Sequence, residues 1–170
     1  YVRVVAKFDL AQWASAFTAL NERGRPIFAI ADSLQSEHLS VFQGLHTYNP
    51  VAMSLESTAE QYSSASLAAR LQGDPFAATV LPGYQDAVFR MTSPVAGRAD
   101  GEYYHADWNI AGASKANWVL ITSFNEWHEG SEIEPSEEYG TTYLTLTAAE
   151  AAVWRSGVDA PAVNDDREHR

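Results

Sequence analysis

Two glutamates three residues apart, Glu126 and Glu129 in SFNEWHEGSEIEPS, are the pair in this sequence best suited to do chemistry. They bracket a tryptophan and a histidine and follow directly on the apolar run Trp118–Phe124. Two carboxyl groups in one cleft do not share one pKa when one is buried or when they lie close together. One stays protonated and can act as a general acid. The other stays ionised and can act as base or nucleophile. Hydrolysis of a glycosidic bond needs that division of labour. Asn125, Trp127 and His128, on the same segment, are candidate substrate contacts, with the indole suited to stacking on a sugar face. His128 beside two carboxylates also reads as a metal ligand, but there is no His-Glu-x-x-His spacing, and no metal is expected. Nor is there a phosphate-cradling glycine loop or a Gly-x-Ser-x-Gly elbow.

Other polar residues gather just after apolar runs. Asp32 follows one, His46, Tyr48 and Asn49 another, and Tyr84, Asp86 and Arg90 a third, in LPGYQDAVFR. Tyr48 and Arg90 are suited to contacting a substrate. Glu132, Glu134, Glu137 and Glu138 read as a solvated acidic stretch. His46 and His105 read as interior or rim histidines, and Trp13, Trp108, Trp118 and Trp154 as core.

The elements that must position these residues follow a repeated pattern of apolar run, polar turn and amphipathic stretch. Strands are expected at Val2–Ala6, Pro26–Ala31, Val41–Thr47, Phe76–Leu81 and Trp118–Phe124. Helices are expected at Leu10–Glu22, Ser57–Leu71, Tyr104–Ala116 and Thr142–Arg155, with a short one at Ser36–Ser40. Ser57 and Glu60 have capping-box spacing. The strands are nearly continuous in apolar residues, which marks parallel strands buried on both faces. An open doubly wound sheet or part of a (β/α)8 barrel fits. The lack of a glycine-rich phosphate loop weakens the nucleotide-binding open sheet. A complete barrel takes about 250 residues. About five βα units would therefore form its C-terminal portion, with residues 1–156 as the partial barrel domain and 157–170 as a mobile tail.

The chain has 170 residues, 46% of them apolar, no cysteine and a formal charge of −11. Disulfides and thiol chemistry are excluded. With Lys7 and Lys115 its only lysines, it lacks the basic surface that a nucleic acid or an anionic membrane needs. No apolar run approaches the roughly 20 residues of a membrane span. The opening YVRVVAKFDL reads as a strand already in progress, so a targeting segment would lie upstream, and an extracellular or periplasmic location is favoured.

The segment around Glu126 and Glu129 resembles the signature of glycoside hydrolase family 99, the endo-α-mannosidase group, and its bacterial relatives. FQGLHTYNP, TVLPGYQDAVFR, GEYYHADW, NWVLITSFNEWHEG and YLTLTAAEAAVW extend the resemblance in the same order, from about Pro26 to Arg155. The resemblance implies a (β/α)8 barrel acting as a retaining endo-glycosidase on α-mannosides of an oligosaccharide or polysaccharide, with no cofactor. It also implies roles. Glu126 would deprotonate the sugar's own 2-hydroxyl, which attacks the anomeric carbon to give a 1,2-anhydro sugar. Glu129 would protonate the leaving oxygen and later activate water, and Tyr48 and Arg90 would line the sugar site. Rival readings are a non-catalytic glycan-binding or polysaccharide-biosynthesis accessory domain, and an α-glucanase.

Overall fold

The computed structural model describes residues 7–157. The expected strand Val2–Ala6 and the tail beyond Gly157 lie outside the described residues. Four strands follow in chain order: β1 (Ala31–Asp32), β2 (Leu45–His46), β3 (Phe76–Val80) and β4 (Trp118–Ile121). They pair side by side in that order, every pair parallel. Four α-helices accompany them: α1 (Leu10–Glu22), α2 (Leu55–Gln72), α3 (Glu102–Ala113) and α4 (Thr142–Ser156). A 3-10 helix at Ser36–Ser40 connects β1 to β2.

The helices start where local chemistry lets them. Asp9 caps α1 in a reciprocal capping box with Gln12. For α2 the expected cap is displaced by one turn. Ser54, not Ser57, is the N-cap, and its hydroxyl accepts the Ser57 N–H at 3.2 Å. Ser57 therefore lies inside the helix. Gly73, in the left-handed region at φ 80°, ends α2.

The helix face of the sheet is the core. α2 buries Thr58, Tyr62, Ala65, Ser66 and Ala69, and α3 buries Tyr104, Asp107, Trp108 and Ala111. Both sets have the spacing of one helical stripe. Ala31, Leu45, Phe76, Ala78 and Val80 meet them from the sheet. Register then places Asp32, His46, Ala77, Thr79, Trp118 and Leu120 on the opposite, concave face.

Burial on both faces holds for β3, every residue of which is buried, but not for β4. Trp118 and Leu120 remain 45% and 43% exposed on the concave face, so Trp118 is not a core residue here. The strands are also shorter than the apolar runs. β2 pairs with only Phe76 and Ala77 of β3. Further along, Thr79 faces the vacated β2 side, and the buried Tyr62 hydroxyl takes its place: it donates to the Thr79 carbonyl at 2.8 Å and accepts the Thr79 N–H at 3.2 Å. Buried backbone groups need such partners, and here a helix side chain substitutes for a strand.

Candidate active site

The C-terminal ends of the four strands converge, and hydrogen bonds between them fix the position of Tyr48. Asp32, at the end of β1, accepts the Tyr48 N–H at 2.9 Å. Thr122, just past β4, donates its hydroxyl to the Tyr48 carbonyl at 2.8 Å. The Thr79 hydroxyl donates to the neighbouring Thr47 carbonyl. Three strand ends thus hold the backbone of one aromatic residue.

The carboxylate turn is built with similar economy. The Thr122–Ser123 peptide is cis. The Ser123 N–H donates to the Ser131 carbonyl at 2.8 Å, and the two serine hydroxyls lie 3.1 Å apart. The Ser123 hydroxyl also accepts the Glu126 N–H at 2.8 Å. Trp127–Glu129 then form one 3-10 turn, ended by Gly130 at φ 57°. Gln85, on the loop after β3, donates its N–H to the Glu129 carbonyl at 2.8 Å, locking the two loops together. A Cβ at Gly130 would meet the Gln85 backbone at 3.2 Å, so glycine serves both conformation and close approach there.

Behind this turn lies an ion pair that the sequence pattern did not signal. Glu132, expected to be solvated, is only 6% exposed and meets Arg98 at 2.8 Å. The Arg98 guanidinium lies 4.2 Å from the Tyr139 ring centre and 4.3 Å from that of Tyr143, and donates to the Gly130 carbonyl at 3.1 Å. Arg98 sits in a loop without periodicity, so its only signal is its charge.

Side chains from three loops meet at Glu129. The Tyr48 hydroxyl donates to Glu129 Oε2 at 3.3 Å, and an Arg90 nitrogen lies 3.8 Å from Oε1. Arg90 is anchored by Asp86 at 2.6 Å, and Tyr84 donates its hydroxyl to the same Asp86 oxygen at 2.9 Å. Burial favours the protonated form of Asp86, but hydrogen bonds from Ser93 and Tyr84 and the Arg90 charge outweigh it and hold the carboxyl below its usual range. Glu129 is pushed the other way. Burial raises its pKa first, the Glu126 charge adds to this, and Tyr48 and Arg90 offset only part. The Glu129 side chain is 17% exposed, whereas Glu126 lies at the surface.

The structure thus brings Tyr48, Arg90 and Glu129 into contact, with Glu126 near enough for its charge to act on Glu129. The other candidates turn elsewhere. Trp127 donates its indole N–H to Glu134 at 3.0 Å and lines a separate cleft with Tyr139. The His128 ring packs edge-on against Phe89 at 4.7 Å. Asn125 is exposed, and its carbonyl accepts the Trp127 N–H at 2.9 Å. Among the described residues, no three His, Asp or Glu side chains gather as a metal-binding group, and no helix is long and apolar enough to cross a membrane.

Several known proteins resemble this chain. A rat glycoprotein endo-alpha-1,2-mannosidase is 30% identical over 148 residues, covering 78% of this chain and 32% of the relative. The solved GH99 endo-alpha-mannosidase of Bacteroides thetaiotaomicron superposes with a TM-score of 0.74 at 28% identity, over 89% of this chain and 52% of that one. Its complex with bis-tris propane gives a TM-score of 0.76 at 26% identity, over 91% and 56%. The chain therefore spans about a third of the rat relative and about half of the bacterial ones, and its four parallel strands are part of a (β/α)8 barrel. The description of glycosyl hydrolase family 99 matches residues 28–146, and the chain belongs to that family.

Proposed function

We propose that this chain carries the carboxylates of an endo-acting, retaining α-mannosidase, with Glu126 and Glu129 as its two catalytic groups. The observation that carries the reading is the environment of Glu129. Burial and the Glu126 charge favour its protonated form, and Tyr48 and Arg90 hold it in place. A general acid needs this environment.

Glu126 takes the proton of the sugar 2-hydroxyl, and that oxygen attacks the anomeric carbon. The glycosidic C–O bond breaks as Glu129 gives its proton to the leaving oxygen. Water then attacks the anomeric carbon and gives its proton to Glu129. The bond from the anomeric carbon to the 2-oxygen opens, and Glu126 returns the proton to that oxygen. Two inversions give net retention. Because neither carboxylate attacks carbon, the roughly 5–5.5 Å carboxyl spacing of ordinary retaining enzymes is not required. Arg90 and Tyr48 border the donor sugar, whereas the His128 ring packs on Phe89 and Trp127 faces the neighbouring cleft. Turnover requires the rest of the barrel, since this chain spans about half of its solved relatives.

The test is a pair of substitutions in the full-length protein. Glu126→Gln and Glu129→Gln each nearly abolish hydrolysis of an unactivated α-mannoside while binding persists. On a glycosyl fluoride, whose leaving group needs no proton, Glu129→Gln retains partial activity and Glu126→Gln does not. Near-normal turnover by both variants would remove the catalytic assignment and favour a glycan-binding domain.

A further inference from the structure

The loop after β3 is tied at its base before it reaches Glu129. Tyr84 and Ala96 exchange both backbone hydrogen bonds, at 2.8 and 2.9 Å. Inside the loop, the Asp86 carbonyl accepts the Phe89 N–H at 2.8 Å and the Arg90 N–H at 2.9 Å. That is one helical turn, and residues four apart on such a turn share a face. The Arg90 guanidinium therefore comes back to the Asp86 carboxylate. Asp86 is only 2% exposed, whereas the Arg90 side chain is 64% exposed.

Arg90 lies between two carboxylates and is not shared equally. Its Nη1 donates to Asp86 at 2.6 Å and to the Tyr84 hydroxyl at 3.1 Å. That nitrogen carries two hydrogens, so both are committed. Glu129 Oε1 lies 3.8 Å from the same nitrogen, too far for a hydrogen bond. Closing that gap would leave Asp86 as a buried carboxylate without its counter-ion, which carries a large penalty. Among the other groups around Glu129, Tyr48 faces it from the loop after β2 and Glu126 from its own turn. His128 turns to Phe89.

In the glycosidase reading on which this inference rests, Glu129 is the general acid and must hold a proton when substrate arrives. A guanidinium paired directly with a carboxylate lowers its pKa by about 1–3 and empties it of that proton. We propose that Asp86 is a positioning residue: it claims the Arg90 guanidinium and so keeps Arg90 from forming a direct ion pair with Glu129. Arg90 then stands beside the donor sugar without disarming the acid.

The test follows the Glu129 carboxyl by carbon-13 NMR titration of the full-length protein, its signal assigned by loss in Glu129→Gln. The parent, Asp86→Asn, Arg90→Met and the double variant form a cycle. Asp86→Asn removes a nearby negative charge, which lowers the Glu129 midpoint slightly even if Arg90 never moves. With Arg90 present it also frees the guanidinium, and the midpoint falls by about one pH unit, a tenfold change in proton affinity. In the Arg90→Met background the same substitution moves the midpoint by a small fraction of that. A shift with Arg90 present that is equal to or smaller than the shift without it overturns the proposal. If Asp86→Asn does not fold, Tyr84→Phe tests the same hold, because it frees one Nη1 hydrogen. The midpoint then falls with Arg90 present and stays fixed in Arg90→Met; an unchanged midpoint in both overturns the proposal.

The titration needs no turnover, which keeps it separate from the catalytic reading. Turnover is compared at the pH of the parent's alkaline limb, on an unactivated α-mannoside and on a glycosyl fluoride. The ratio of kcat/KM for the mannoside to that for the fluoride falls several-fold in Asp86→Asn and recovers in the double variant, since Arg90 is no longer there to capture Glu129. A purely structural defect would not be rescued by a second substitution, and a ratio that falls without recovering overturns the proposal. A cycle that behaves as expected in the titration while the ratio stays constant supports the Asp86 assignment and removes the acid role from Glu129.

Discussion

Glu129 is tuned by neighbours that can be removed one at a time. The Tyr48 hydrogen bond and the Arg90 charge lower its pKa, against burial and Glu126, which raise it. If Glu129 must be protonated to act, kcat/KM falls as pH rises through its pKa. Tyr48→Phe and Arg90→Met each remove a lowering influence, so each moves the alkaline limb of the pH–rate profile to higher pH while also costing substrate binding. A limb that stays fixed or moves down in both variants would assign the limb to another group. A second carboxyl titrates for a different reason. Asp107, on α3, accepts the Leu81 N–H at 2.9 Å, and burial pushes its pKa up to about 7, the hydrogen bond reversing only part of the effect. A carboxyl whose folded pKa is raised binds its proton more tightly in the native state than unfolded. Its contribution is therefore full below about pH 4 and is lost as pH climbs towards about 7. Asp107→Asn keeps an acceptor for Leu81 but no longer titrates. Denaturant unfolding across that range is expected to give a flatter stability–pH profile for the variant than for the parent.

The elements depend on substitutions that no short-range pattern announces. Tyr62 is the clearest case, since its hydroxyl satisfies the Thr79 backbone where β2 has already ended. Tyr62→Phe keeps the ring packed edge-on against Phe76 and removes only the hydroxyl. Leaving a buried donor and acceptor unpaired costs about 1–3 kcal/mol, measurable as a lower denaturation midpoint with unchanged m-value. The parallel βα rhythm was readable because burial on both faces of Phe76–Val80 favours a nearly continuous apolar run, which only Thr79 interrupts. The strand limits were not readable, because pairing ends where a neighbouring strand ends, at His46, and that is a tertiary fact. The same distinction runs through the site. Glu126, Glu129, Tyr48 and Arg90 stand out as polar residues in the loops that follow apolar runs. Arg98 and Glu132 do not, since nothing local distinguishes a buried ion pair from a solvated charge. The orientation of Trp127 was equally hidden, being set by Glu134 seven residues further on.

At the scale of the whole molecule, the concave face of the sheet determines how this chain behaves alone. Helices cover the opposite face, whereas the concave face, with Asp32, His46, Tyr48, Thr79 and Leu120, lines an open cavity of about 450 Å³. Trp118 and Leu120 stand exposed there, and among the described residues the outer edge of β4 pairs with no further strand. In the bacterial relatives this chain aligns with only about half of the structure. Exposed apolar surface beside an open strand edge promotes association. The 170-residue chain by itself is therefore expected to self-associate. Its charge of −11 opposes this, because copies repel one another at low ionic strength. Salt screens that repulsion, with a Debye length of about 10 Å at 0.1 M, and leaves the apolar attraction in place. Sedimentation velocity should show larger species as salt rises, the reverse of an association built on ion pairs. Leu120→Lys, which places a charge on the apolar face, should shift the distribution towards monomer at every salt concentration. A parent chain that stays a monodisperse, cooperatively unfolding monomer at high salt would mean that the concave face is closed from within its own sequence.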